Sequence, residues 1–281
     1  MIDSRIDKII DNALREDIGN QDITTHILIP KDEVSQAFMV TRQEAVLCGL
    51  EIAKRVFHKL DKMAKFRSSY KDGDKVSANT KILFITAKTR ALLTGERVAL
   101  NFLTYLSGIA TTTSFFLKKI HPSKVKIMDT RKTTPCLRNL EKYAVKCGGG
   151  INHRFTLSEM VLIKDNHRSA YQSRMSLREM IKRAKKVSNK PVEVEVNNLI
   201  QLKQALSAHP DIILLDNMPL KQIKKAVTLI RKMKKRPLLE VSGRVNLENV
   251  RAIAKTGIDR ISIGALTHTR KAIDISLEVI S

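Results

Sequence analysis

The stretch PVEVEVNNLIQLKQALSAHPDIILLDN, residues 191–217, contains two short apolar runs, Val192–Val196 and Ile212–Leu215, separated by a helix-length amphipathic segment. Continuous apolar runs alternating with helices predict parallel strands in a sheet covered on both faces. The rhythm continues outward, through Met160–Ile163 and Val125–Met128 on one side and Leu238–Val241 and Ile261–Ile263 on the other. Six such runs in succession predict an incomplete α/β barrel and not an open sheet. The residues that end the runs are the informative ones. They are Asp129-Thr130-Arg131-Lys132, Lys164-Asp165-Asn166-His167, Glu195, Asp216-Asn217, Ser242-Gly243 and Gly264. In an α/β barrel the C-terminal strand ends face one mouth, where chemistry is done. Charged and small residues at every end predict a single functional cleft.

The half of the chain before this series has a different texture. Ile2, Ile6, Ile9, Ile10, Ala13 and Leu14 fall on one helical face, which Gly19-Asn20-Gln21-Asp22 ends. Residues 36–48 and 64–92 read as strands, with a turn at Asp72-Gly73-Asp74 and a short helix at Leu50–Leu60. A long helix is predicted from Gly95 to Lys119. Later, Leu137–Lys146 reads as a helix closed by Gly148-Gly149-Gly150, where glycine supplies a left-handed turn.

The totals narrow the function classes. Lys and Arg number 51 against 28 Asp and Glu, a formal charge of +23, which attracts anions of every kind. Much of it lies in Arg178–Lys190 and Lys221–Arg236, whose apolar residues recur at helical spacing, so the lysines read as a solvated outer face. A nucleic-acid-binding protein is the reading that charge alone favours. The chain lacks aromatic-rich binding strings, and its most specific residues sit at barrel strand ends, so no specific nucleic acid is expected. No apolar run is long enough for a membrane span, and the acidic start Met1–Asp7 is unlike a signal peptide, so a cytoplasmic protein is expected. Cys48, Cys136 and Cys147 are widely spaced, without the spacing of a zinc site or a disulfide framework.

The cleft residues form three chemical groups. Arg131, Lys132, His153, Arg154 and Lys164 are basic, and together they require a polyanionic ligand to offset their repulsion. Glu195 and Asp216, on neighbouring strand ends, suit Mg2+ or sugar hydroxyls. Ser242-Gly243 and Gly264 leave room for backbone N–H groups to approach an anion, and a helix starting near Asn246 would add its dipole. Loops after the last two strands of such barrels commonly hold phosphate.

Several strings resemble quinolinate phosphoribosyltransferase: Met128-Asp129-Thr130-Arg131-Lys132-Thr133-Thr134-Pro135, Cys147-Gly148-Gly149-Gly150-Ile151-Asn152-His153-Arg154 and Leu162-Ile163-Lys164-Asp165-Asn166-His167. Glu96-Arg97-Val98-Ala99-Leu100-Asn101-Phe102, Glu193-Val194-Glu195-Val196, Leu214-Leu215-Asp216-Asn217-Met218 and Gly264-Ala265-Leu266-Thr267-His268 extend it in collinear order along nearly the whole chain. The resemblance implies an N-terminal α/β sandwich over residues 1–110, joined by a C-terminal helix at about 268–281, and an incomplete seven-stranded α/β barrel over 111–267. It implies the joining of quinolinate to phosphoribosyl pyrophosphate, with release of CO2 and pyrophosphate, in NAD biosynthesis. Carried over, Arg131, His153, Arg154 and Lys164 surround quinolinate, and Arg97 reaches that pocket from the partner in a homodimer. Lys132, Glu195, Asp216, Ser242, Gly243, Gly264 and His268 hold phosphoribosyl pyrophosphate with its Mg2+, and Lys132, Glu195 and Asp216 are the catalytic candidates. A molybdenum-transport-associated relative shares the Thr-Arg-Lys-Thr string and is the alternative, but Lys164 belongs to the quinolinate site. Arg97, at the start of its predicted helix, is also unfavourable with the helix dipole and should have a carboxylate partner. Three positions depart from the family pattern: Cys136 and Arg244 stand where Gly is usual, and Asn197 where Asp is usual.

Overall fold

In the computed structural model, which describes residues 4–171, 174–269 and 271–280, the strand Val34–Thr41 is flanked on both sides. Ile275–Ile280 pairs with one edge and Thr80–Lys88 with the other, and Lys65–Arg67 adds to Thr80–Lys88, all antiparallel. Cross-strand partners Ala37–Ile85 and Met39–Leu83 are buried, the period-two burial of a sheet with one face on a core. Helix Leu50–Leu60 buries Leu50, Ile52, Ala53, Val56 and Phe57. It packs against helix Thr89–Ile120 at Gly95, where a Cβ would lie 2.9 Å from Leu60 and 3.0 Å from Phe57. Glycine is tolerated mid-helix here because nothing larger fits.

Two expectations fail in this unit. The long helix begins at Thr89, because Ala91-Leu92-Leu93 are good helix formers and no breaker follows strand Thr80–Lys88. Arg97 is therefore exposed in the helix interior, and the dipole argument for a carboxylate partner does not apply. The C-terminal segment is a strand, Ile275–Ile280, and not a helix. Ile275 and Leu277 are buried while Ser276 and Glu278 are half-exposed, and that alternation suits a sheet edge. The N-terminal helix runs Ser4–Ile18 and buries Ile10 and Leu14; Ile2 lies outside the described residues. The cysteines are closer than their spacing implied. One ligand atom each of Cys48, Cys147 and Asp72 lie within 4.8 Å of one another, and burial pushes the Cys48 thiol up. By contact the described residues of 4–112, 146–149 and 271–280 form this first unit, and 113–145 with 150–269 the second.

The second unit is a parallel sheet in the order Lys126–Met128, Arg260–Ser262, Leu238–Ser242, Ile212–Asp216, Val192–Val196, Val161–Ile163. Lys126–Met128 and Arg260–Ser262, the first and last of these strands in sequence, pair with each other, which is the circular order of a barrel. Among the described residues the seventh barrel position is a single parallel bridge, Ile151 to Met128, since Asn152 turns away to the Asp129 carboxylate. Leu177–Val187 opens on a capping box of Ser176 and Glu179, and Leu220–Arg231 buries Ile223, Ala226, Val227 and Ile230. The lysines of both helices face outward, as a solvated face should.

Candidate active site

All of Val192–Val196 is buried, including Glu193 and Glu195. Barrel strands alternate between covering helices and interior, so the polar members of Val192–Val196, Leu238–Ser242 and Arg260–Ser262 point inward. At the C-terminal ends the interior opens into a cavity of about 480 Å3. Its walls include Arg131, Lys132, His153, Arg154, Lys164, Glu195, Asp216, Ser242, Gly243, Gly264 and His268, with Arg244 and Glu240. Every barrel residue expected at the site is thus gathered there. Arg97 belongs to the first unit and is not among these lining residues.

The basic wall is held from behind. Asp129 and Lys142 are fully buried and form an ion pair. Asp129 Oδ1 also accepts from the His153 backbone N–H at 2.9 Å, and Lys142 donates to the His153 carbonyl at 2.9 Å. Burial lowers the Lys142 pKa against the pull of Asp129. Gly149, at φ +89°, makes the turn that delivers this segment. Arg154 donates from its backbone N–H to His153 Nδ1 at 2.8 Å and from Nη1 to the Met160 carbonyl at 2.8 Å. Burial, and then the charge of Arg131, lower the Arg154 pKa. The two guanidiniums repel each other, an arrangement that an anion between them relieves.

Lys164 Nζ lies 3.8 Å from Glu195 Oε2. Burial pushes the Glu195 carboxyl up, and the neighbouring Asp216 adds to this while Lys164 opposes it. The two acids therefore share a partly dry corner with one nearby ammonium, a donor set that suits a hard cation or sugar hydroxyls. Asn197, the neutral departure, accepts from Arg168 at 2.8 Å.

The small-residue loops are tight. At Gly243, φ +90°, a Cβ would lie 2.8 Å from the Asn217 backbone nitrogen. Lys132 and His268 flank Gly264, where a Cβ would lie 3.1 Å from Lys132 Cδ and 3.0 Å from His268 Nε2. Arg244 and Cys136, the two departures from glycine, have φ of +51° and +65°. Each occupies the left-handed region that glycine enters freely, at a cost of about 1–2 kcal/mol. The expected helix dipole is absent here. Asn246 accepts from the backbone N–H groups of Glu248 and Asn249, and helix Val250–Ala254 starts only afterwards and is short. The groups this corner offers to an anion are loop N–H groups and cations.

Glu193, Glu240 and Arg260 were not anticipated as site residues. Glu240 lines the cavity, Glu193 and Arg260 lie next to it, and the alternation Val-Glu-Val-Glu-Val was the signal that two carboxylates share the barrel interior.

An α/β barrel with a cationic, acid-flanked mouth and small-residue loops after its last strands suits an enzyme that takes phosphorylated, polyanionic substrates, the class to which phosphoribosyltransferases belong. The chain belongs to the quinolinate phosphoribosyltransferase family. The model of that family's N-terminal domain matches residues 22–107 and that of its C-terminal domain residues 109–278. The chain is 40% identical to the probable nicotinate-nucleotide pyrophosphorylase (carboxylating) of Methanocaldococcus jannaschii, over 97% of this chain and 96% of that one. It is 40% identical to the Mycobacterium leprae nicotinate-nucleotide pyrophosphorylase (carboxylating), over 96% of this chain and 95% of that one. The solved structure of the nicotinate-nucleotide pyrophosphorylase from Francisella tularensis is 43% identical, with a TM-score of 0.93, covering 100% of this chain and 98% of that one. The protein is thus a pentosyltransferase of NAD biosynthesis. No helix among the described residues is long and apolar enough to cross a membrane.

Proposed function

We propose that the cavity binds quinolinate between Arg131, Arg154 and Lys164, and phosphoribosyl pyrophosphate between Lys132, the two acids and the loops at Ser242-Gly243 and Gly264. The observation that carries this reading is the gathering of Arg131, Arg154 and Lys164 around one cavity. A dicarboxylate answers two guanidiniums and an ammonium better than a monocarboxylate does. The pyridine nitrogen attacks the anomeric carbon as pyrophosphate leaves, and positive charge develops on the ribose. Glu195 and Asp216 stabilise that charge and orient the hydroxyls, while Lys132 supports the departing pyrophosphate. The positive ring nitrogen stabilises the electron pair left at C2 when the 2-carboxylate departs as CO2, and a proton from water then forms the C2–H bond of the product. Glu195 and Asp216 would also hold Mg2+ on the substrate's pyrophosphate, where it would neutralise charge. No covalent nucleophile is required, so positioning and charge stabilisation supply the catalysis.

The working form in this reading is a cytoplasmic homodimer in which Arg97 serves the partner's quinolinate. The experiment is to incubate the protein with phosphoribosyl pyrophosphate, Mg2+ and either quinolinate or nicotinate, and to follow nicotinate mononucleotide. Quinolinate should be used far better. Comparable turnover of nicotinate would refute the assignment.

A further inference from the structure

His153 lines the cavity, yet both of its ring nitrogens are taken by the protein. Nδ1 accepts the Arg154 backbone N–H at 2.8 Å, so it carries no proton there. Nε2 lies 3.1 Å from Glu193 Oε2 and 3.6 Å from Glu240 Oε1, so it is the nitrogen that donates. The side chains of Glu193 and Glu240 are fully buried. Arg260, from the next strand, pairs with Glu240 and lies 3.7 Å from Glu193. A histidine with two carboxylates within 4.8 Å also has the makings of a metal site. Here the Arg260 guanidinium already supplies the positive charge that a metal ion would bring.

We propose that His153 is a positioning residue and not a ligand of the substrate: held as the Nε2–H tautomer by the Glu193–Glu240–Arg260 array, it fixes the Arg154 backbone and so aims the Arg154 guanidinium. Three inward residues, on strands Val192–Val196, Leu238–Ser242 and Arg260–Ser262, form the array; Glu193 meets the ring, and the ring meets the amide of the residue that meets the substrate. The far end of Arg154 is tied at the Met160 carbonyl, so the side chain is held at both ends. Burial and the charge of Glu193 push the Glu240 carboxyl up, while Arg260 and His153 oppose this. The array thus has carboxylates to spare for a single imidazole N–H. This role for His153 rests on the quinolinate reading only where Arg154 meets the ligand.

The test has two arms. In protein labelled with 15N-histidine, NMR reads the tautomer directly, with the His153→Asn spectrum identifying the signals. The expected result is a neutral ring protonated at Nε2, unchanged by saturating quinolinate. An Nδ1–H tautomer, an imidazolium, or a change of protonation on adding quinolinate would overturn the proposal. So would stoichiometric divalent metal that His153→Asn releases. This arm needs no turnover, so it stands or fails separately from the reading of the activity.

The second arm is kinetic. His153→Asn keeps an amide oxygen where Nδ1 accepts, whereas His153→Gln reaches the place of Nε2 instead. A hydrogen bond of this kind is worth roughly 0.5–1.5 kcal/mol, up to about tenfold. His153→Gln should therefore raise KM for quinolinate about 3- to 10-fold, with kcat and KM for phosphoribosyl pyrophosphate nearly unchanged, and His153→Asn should restore most of it. Equal behaviour of the two variants, or loss confined to kcat, would show that the ring acts on substrate or only on the fold.

Discussion

Replacing Arg244 with glycine separates a backbone effect from a charge effect at one residue. Arg244 has φ +51° and is exposed at the cavity's small-residue corner. Glycine relieves about 1–2 kcal/mol of left-handed strain, and it costs about 0.5–1 kcal/mol in additional unfolded-state freedom. The net change in stability lies between zero and about 1.5 kcal/mol in the protein's favour, a gain in Tm of about 3–6 °C at most. The guanidinium is lost at the same time. A charge-assisted contact to a phosphate is worth roughly 1.5–3 kcal/mol, and the lower value applies to an exposed side chain. Kd for phosphoribosyl pyrophosphate should then rise about tenfold at low salt and less at high salt, where exposed charges are screened. Differential scanning calorimetry reads the first quantity and isothermal titration the second. An unchanged Kd at low salt would remove Arg244 from the phosphate site, and a Tm several degrees lower would refute the strain argument.

Glu195→Ala and Asp216→Ala should each lower kcat by roughly 100-fold or more while the fold persists, by circular dichroism. Near-normal activity in both would reduce the pair to counter-ions. Glu195→Gln should change how stability depends on pH. Because the folded carboxyl titrates above its ordinary value, the native state holds its proton longer, and wild type loses stability as pH rises from about 4.5 through the folded pKa. Denaturant midpoints of the two proteins should diverge in that direction with rising pH, and parallel curves would contradict the burial argument. Lys142→Met leaves the buried Asp129 without its partner and should cost about 3–5 kcal/mol in chemical denaturation; a cost under about 1 kcal/mol would mean the pair is not carrying the His153 segment. Mixing inactive Arg97→Ala with inactive Lys164→Ala chains should restore about half of wild-type activity per heterodimer, since one site escapes both defects. Heterodimers that stay inactive would place Arg97's role in its own chain.

The barrel strands were legible because each is a continuous apolar run, and most of the cleft was legible because charged or glycine residues end those runs. Glu193, Glu240 and Arg260 were harder to read. A buried carboxylate inside a strand resembles a solvent-facing residue until the strand's outer face is known to carry helices. Strand Ile275–Ile280 was misread since Ile-Ser-Leu-Glu-Val-Ile fits both periods over so short a span, and only its neighbour Val34–Thr41 decides between them. The helix at Thr89 was misplaced because nothing in Lys88-Thr89-Arg90-Ala91 marks where a strand becomes a helix. Tertiary pairing, not propensity, settled the strand.

Strand Val34–Thr41 waits for a neighbour far along the chain. Its partner Ile275–Ile280 emerges from the ribosome only after every barrel strand has been synthesised. Until then the nascent chain carries an open edge at Gln36–Thr41, with unpaired backbone groups that any extended segment can occupy. Chains that stall or are clipped before Ile275 should therefore associate through that edge, and pairing with Ile275–Ile280 closes it.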